Sequence, residues 1–315
     1  MADRKKALIV TRVSGFVPQF EMNNVKILQD MGYEVHYASN FKTVVYGRNN
    51  DRLQGTGIIC HDIPFCRSPF SAKVLRAYRL LKQLLVAEQF DLIHCHMPMT
   101  GVVTRMAAKA VRRKTGRNVP VLYTTHGFHF FQGAPVKNWL YYIPERWLAG
   151  YTDRLIAINE EDYKRACAFS VRGKVEKISG VGIAALPDEF CGADRRQSIR
   201  QRKREELNIG AADYALFSVG ELNQNKNHSQ IIKALAENGD VSLKYFICGM
   251  GPMRDKLEEE IRKLGLVNQV FLLGYRSDIR ELLFAADCFV FPSLREGLPV
   301  ALMEAMRAGL PVVAK

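Results

Sequence analysis

Short apolar runs alternate along this chain with stretches whose apolar residues recur every three or four positions. Residues 7–10, 34–38, 92–93, 121–123 and 154–157 read as strands, and 23–31, 71–87 and 101–113 read as helices between them. This alternation predicts a parallel sheet covered by helices. It pauses around Gly180 and Gly182, then resumes with strands at 215–219, 244–248, 270–273, 288–291 and 311–314. The expected architecture is α/β, with two Rossmann-like doubly wound domains, 1–185 and 186–315, facing across a ligand cleft. Residues 195–204 read as the start of a charged helix with a solvated face. The last apolar run closes the sequence, so the second domain is expected to be incomplete by about two βα units, which puts the activity of this chain in doubt.

The most informative stretch lies near the carboxyl end. The apolar run 288–291 enters a turn, Pro299 suits a first helical turn, and Gly309 followed by Pro311 suits the helix end. Glu296 and Glu304 bracket the helix start. A helix N-terminus offers unpaired N–H groups and partial positive charge, which suits a phosphate. Carboxylates beside it would repel phosphate but accept from sugar hydroxyls; alternatively they are two solvated acids on a capped helix. Were both helical, their eight-residue separation would span roughly 12 Å along the axis. That exceeds the roughly 5–9.5 Å of paired glycosidase carboxylates, so hydrolytic acid/base work by this pair is not expected.

Glu296 and Glu304, with Gly297, Pro299 and the following Glu-Ala-Met…Gly-Leu-Pro-Val-Val, resemble the signature of retaining nucleotide-sugar glycosyltransferases of family 4 (glycosyl transferases group 1), which have the GT-B fold. Further matches are Val219-Gly220-Glu221-Leu222 with Lys226-Asn227-His228, Phe246 to Gly249-Met-Gly251-Pro, and Leu273-Gly274-Tyr275. In the first half Asp91 to His94-Cys95-His96 and Thr124-Thr-His126-Gly127 match too. The resemblance covers the whole chain and is closest to the branch of bacterial exopolysaccharide and capsule clusters.

The resemblance implies that Lys226 stabilises a leaving diphosphate, that Gly297 and Leu298 present N–H groups to it, and that Glu304 accepts from the ribose. It implies that Glu296 contacts the donor sugar, that main-chain groups at Tyr275 and Arg276 read the nucleobase, and that Gly249 lies in the donor-binding turns. In the first half it implies a ligand loop at Gly15 and places His126 near the reacting sugar. Read alone, Lys226 is a surface lysine, His126 a structural histidine and Gly249-Met-Gly251 a tight turn. One departure stands out: many relatives carry arginine where this chain has Glu221, which is expected instead to orient Lys226. Phe128, His129, Phe130 and Phe131 either line an acceptor pocket or simply pack.

The implied activity is retaining transfer from a nucleotide-diphosphate sugar, expected to be UDP-linked, to a lipid-linked glycan in exopolysaccharide or capsule synthesis. The expected location is the cytoplasm, peripheral to the inner membrane face. Composition bears on the alternatives. A net charge of +13 favours anionic partners such as nucleotides, nucleic acid or acidic headgroups. A nucleic-acid-binding protein is the reading of a different class; dispersed cations and the absence of a recognised binding motif count against it, so no nucleic-acid partner is expected. A sugar-nucleotide epimerase of the same fold is the other alternative. Basic helices at 71–87 and 101–117 either meet an anionic membrane or carry a solvated basic face over a core stripe. Seven scattered cysteines do not form a disulfide framework, and most are expected to be inert core thiols. His94 and His96 share a strand face without a third ligand at suitable spacing, and there is no Asp-x-Asp, so no metal or other cofactor is expected.

Overall fold

A computed structural model describes residues 4–47, 49–180, 182–183 and 187–315. The chain divides into two compact units, Met1–Val181 and Gly182–Lys315. The expected junction near residue 185 lies outside the described residues.

The first unit holds strands β1 (Lys6–Val13), β2 (Glu34–Asn40), β3 (Ile59–Asp62), β4 (Leu92–His96), β5 (Val121–Thr125), β6 (Arg154–Ala157) and β7 (Lys174–Lys177), with helices α1 (Met22–Asp30), α2 (Ala72–Glu88), α3 (Pro98–Thr115), α4 (Tyr142–Ala149) and α5 (Glu160–Cys167). All pairings are parallel, in the order β3-β2-β1-β4-β5-β6-β7. The central strands are buried on both faces, which is why they read as continuous apolar runs. Leu8 and Val10 face a core shared with Leu81 and Leu85 of α2 and Val103 and Ala107 of α3. Ile9 faces the other side with Val25, Val35 and Tyr37. Leu81 and Leu85 of α2 are therefore core-facing, with Leu80 and Leu84 partly buried beside them, while Leu75 is exposed on the side of Lys73, Arg76 and Arg79. Strands β3 and β7 were not expected from the sequence. Each is a largely exposed edge with one neighbour; β7 carries no apolar run, and β3 has only Ile59 and Cys60 before it turns polar.

The second unit holds β8 (Tyr214–Val219), β9 (Leu243–Cys248), β10 (Val270–Gly274), β11 (Cys288–Phe291) and β12 (Val312–Ala314), with α6 (Ala193–Glu206), α7 (His228–Asn238), α8 (Arg254–Lys263), α9 (Ile279–Ala285) and α10 (Val300–Arg307). Its parallel order is β10-β9-β8-β11-β12. Both units thus have the doubly wound architecture expected.

Two expectations need correction. The charged run of α6 is not merely solvated. Lys203 is buried and bonds Asp278 at 2.5 Å and Glu206 at 2.8 Å, while Arg200 and Arg204 reach Asp287 at 2.5 and 3.0 Å. Asp278 and Asp287 flank α9, so ion pairs form the seam between α6 and α9. Nor are most cysteines core thiols. Cys95, Cys248 and Cys288 are buried, whereas Cys60, Cys167 and Cys191 are exposed because they sit on edge strand β3, at the end of α5 and in a loop.

Candidate functional site

In a parallel sheet the loops leaving the carboxyl ends of the strands share one edge, and ligands gather where the strand order reverses. In the first unit that point lies between β1 and β4. The chain leaves β1 through Ser14, Gly15 and Phe16 into a π-helical turn, Val17–Glu21. Glu21 is fully buried, and its Oε2 accepts from Asn24 Nδ2 at 2.6 Å. Its Oε1 lies 3.7 Å from His96 Nδ1 at the end of β4 and has no hydrogen-bond partner among the described residues. His96 Nδ1 meets His126 Nε2 at 3.1 Å, just past β5, and the Phe16 ring packs against both imidazoles at 5.3 and 5.1 Å. Burial lowers the pKa of both histidines, leaving neutral rings that share one proton contact.

This cluster corrects the expectation that His96 lacks a third ligand. Ligand atoms of Glu21, His96 and His126 lie within 4.8 Å of one another, a set that could hold a cation. Glu21 is remote in sequence, so ligand spacing could not reveal it. Its one signal is a lone acid closing the otherwise uncharged run after β1. His94 shares the face of His96 as expected, but its Nε2 is 2.8 Å from Thr124 Oγ1, and burial lowers its pKa to about 3.

Gly15 has a packing cause as well as the expected ligand loop. A Cβ there would meet the Val45 carbonyl oxygen at 1.7 Å. Phe128 and Phe130 are buried and stack at 4.7 Å, so they are core residues rather than pocket lining.

In the second unit the order reverses between β8 and β11. Lys226 follows β8 and Glu296 follows β11, and Lys226 Nζ donates to Glu296 Oε1 at 2.8 Å. Asn225 Nδ2 donates to the same oxygen at 3.2 Å and to the Arg295 carbonyl at 2.8 Å, tying the two loops together. Asn225 was not singled out from the sequence. The expectation that Glu221 orients Lys226 is corrected. Glu221 is exposed and accepts from Asn223 at 3.0 Å, because its own loop turns it away from the lysine that Glu296 holds.

Gly297 and Leu298 form the bend before α10, and Pro299 is its N-cap, one residue ahead of the expected first turn. No side chain caps this end, so the first N–H groups of α10 keep no side-chain acceptor. Glu304 lies one turn into α10. Burial raises its pKa, with Arg307 and Arg280 acting the other way. Gly249 and Gly251 are dictated by backbone packing: a Cβ at either would meet the Gly220 carbonyl at 1.8 Å or the Leu222 carbonyl at 2.5 Å. They press the β9 loop onto the β8 loop. Gly274 ends β10 with Tyr275 and Arg276 next, but the Arg276 guanidinium is held by Asp278 at 2.6 and 2.8 Å and by Glu206 at 2.5 Å. Its side chain is committed to structure, which leaves the main chain for any ligand. The second-unit residues therefore follow the carboxyl ends of β8, β9, β10 and β11, and Gly15 and His126 follow those of β1 and β5.

The sequence pattern of the Glycosyltransferase Family 4 matches residues 23–180, and that of Glycosyl transferases group 1 matches residues 199–315. A Bacillus subtilis (strain 168) protein named as a glycosyltransferase, EpsD, is 38% identical over 314 residues, covering 98% of this chain and 78% of that protein. An Escherichia coli UDP-Gal:alpha-D-GlcNAc-diphosphoundecaprenol alpha-1,3-galactosyltransferase is 31% identical over 258 residues, 79% of this chain and 63% of that protein. The fold matches Anabaena Alr3699/HepE, solved in complex with UDP-glucose, with a TM-score of 0.77 at 19% identity over 98% of this chain and 80% of that one. These matches support sugar transfer over the epimerase alternative. The chain belongs to the group 1, family 4 glycosyltransferases of GT-B fold and is a hexosyltransferase of the bacterial polysaccharide-biosynthesis type.

Proposed function

We propose that this enzyme transfers a hexose, with retention, from a UDP-sugar to a lipid-linked diphosphate glycan at the cytoplasmic membrane face. The carboxyl-terminal domain takes the donor and the amino-terminal domain the acceptor. The observation that carries the reading is the Lys226–Glu296 pair, set where the strand order reverses beside the uncapped start of α10. The names of the E. coli relative and of the Anabaena complex support UDP and a diphosphoundecaprenol-linked acceptor.

The diphosphate rests on Lys226 and on the N–H groups of Gly297, Leu298 and the first turn of α10. Glu304 accepts from the ribose and Glu296 from the donor sugar. The base is read by main-chain groups at Tyr275 and Arg276, with Gly249 and Glu221 bordering the site. Gly15 and His126 serve the acceptor and the reacting sugar. In the reaction the bond from sugar C1 to the diphosphate oxygen breaks, and its electron pair leaves with UDP. The acceptor oxygen bonds to C1 on the same face, and its proton passes to the departing phosphate oxygen. Positive charge preorganised at the leaving group accelerates this step. No divalent ion is assigned to the diphosphate, so transfer is expected to survive EDTA.

Thermal shift with UDP, GDP, ADP and CMP tests the donor. At 100 times Kd, UDP stabilises by about 2.7 kcal/mol, several degrees for a domain of this size. A shift with UDP that is lost in Glu304→Ala is the expected result. No shift with any nucleotide in the folded chain would overturn the reading. Loss of transfer on chelation, restored by a divalent ion, would overturn the metal-free assignment.

A further inference from the structure

The turn 136–141 and α4 carry two apolar faces where a surface helix normally carries one. One face belongs to the core: Leu148 and Ala149 are fully buried, and Tyr142 packs on Phe130 and Phe169 at 5.4 Å. The other faces solvent. Val136, Leu140, Ile143 and Trp147 are 87, 70, 68 and 51% exposed. Ile143 and Trp147 lie one turn apart on α4, and Val136 and Leu140 belong to the tighter turn that leads into it.

The helix that carries them is anchored to the core. Glu145, on the inner face, is buried and bonded by Arg105 at 2.8 Å, which anchors α4 to α3. Glu145 is also the only acid between Gln132 and Tyr151. The exposed charges of that segment, Lys137 and Arg146, are both basic. Beside Trp147 a shallow pocket of about 290 Å³ is lined by Tyr78, Met106, Lys109, Ala110 and Arg113. Lys109 Nζ sits over the Trp147 ring at 4.7 Å.

We propose that this face docks onto an anionic bilayer. Val136, Leu140, Ile143 and Trp147 enter the boundary between headgroups and acyl chains, and Lys137, Arg146, Lys109 and Arg113 meet the lipid phosphates. Amphipathic aromatic rings beside lysine and arginine are the chemistry of that boundary. A second copy of the chain is a poor occupant, because a symmetric contact would set this all-basic rim against itself. The inference deepens the reading of a lipid-linked acceptor by naming the surface that meets the lipid. It also moves the contact away from the basic face of α2.

The chain's only two tryptophans, Trp139 and Trp147, both lie in this segment, so its fluorescence reports the contact directly. The 315-residue chain is mixed, without substrate, with phosphatidylcholine vesicles holding about 30% phosphatidylglycerol, and with phosphatidylcholine alone. A blue-shifted emission quenched by brominated acyl chains on the anionic vesicles is expected. The double variant Leu140→Ser, Ile143→Ser, checked for folding by its melting curve, is expected to bind about tenfold more weakly. No binding, binding without quenching, or binding unchanged in the double variant would each overturn the proposal. So would a dimer in sedimentation that the same variant dissociates. The quenching result needs no variant, and none of these outcomes bears on UDP binding, so failure here is distinct from failure of the donor reading.

Discussion

Glu296→Gln removes the carboxylate that holds Lys226, and the consequence for UDP has a sign that separates two roles of the pair. The two groups meet at 2.8 Å, with side chains 19 and 23% exposed. Unscreened attraction at that spacing, with an effective dielectric near 20, is about 6 kcal/mol. Partial exposure and the cost of desolvation reduce the net value to that of a charge-assisted hydrogen bond, about 1.5–3 kcal/mol. A diphosphate must take Lys226 from this partner. Without Glu296 the lysine is released in advance, so Glu296→Gln is expected to bind free UDP about tenfold more tightly, equivalent to about 1.4 kcal/mol. Sugar transfer is expected to fall in the same variant, because the contact to the donor sugar is lost. Lys226→Ala is expected to lose about 10²–10³ in kcat, the cost of deleting one preorganised charge at the leaving group. Calorimetry with UDP and initial rates of transfer measure both, and the double variant tests their coupling, since residues in contact do not add independently. Unchanged UDP affinity in Glu296→Gln together with undiminished turnover in Lys226→Ala would refute the reasoning.

Four further outcomes follow from the charges. Burial raises the pKa of Glu304 above its ordinary value, so the folded state holds that proton more tightly and loses stability as pH rises from the ordinary value through the raised one; Glu304→Gln should raise Tm at neutral pH but not near pH 4, and equal shifts at both would count against it. Arg276 and Lys203 hold Asp278 below the usual carboxylate range, so its contribution is present above about pH 3.9 and fades as pH falls through the depressed value; the Tm gap between wild type and Asp278→Asn should be wide at neutral pH and close in strong acid. Arg105→Ala leaves the buried Glu145 without its counter-charge and with only the Tyr123 hydroxyl at 3.1 Å, at a cost of about 3–5 kcal/mol in thermal denaturation, and a loss under about 1 kcal/mol would contradict the pairing. Glu21 raises the His126 pKa against the lowering effect of burial, so Glu21→Gln should drop its titration further in proton NMR; an unchanged midpoint would detach Glu21 from the cluster.

Much of this was legible in the sequence, and the gaps have physical causes. The interior strands of both sheets are buried on both faces, so their apolar runs announced them. The edges β3 and β7 have one neighbour each; β7 has no such run, and β3 has only Ile59 and Cys60 before it turns polar. Motif residues around Lys226 and Glu296 could be named, but their partner could not: Glu221 is nearer in sequence, while Glu296 arrives from the loop after β11. The run around Lys203 looked solvated because its acids, Asp278 and Asp287, lie more than seventy residues away. Glu21 could not be joined to the histidines for the same reason, since neither one it approaches is near it in the chain.

The two units place their chemistry by the same rule. In the first, β1 is flanked by β2 and β4; in the second, β8 is flanked by β9 and β11. At each reversal the adjacent chains turn apart above the strand ends and leave a crevice. The loop after the first strand supplies one member of a pair there, Glu21 or Lys226, and the neighbouring strand supplies the other, His96 at the end of β4 or Glu296 past the end of β11. The pairs differ in how their charge is met. Lys226 and Glu296 neutralise each other and remain partly open to solvent, so a diphosphate and a sugar can divide them. Glu21 Oε1 is buried with no donor among the described residues, next to two imidazoles that burial keeps neutral. A buried carboxylate in that state is costly. A ligand hydroxyl, a proton on His126 or a cation would each relieve it, so the first unit's site is the one whose occupancy should most change its own stability.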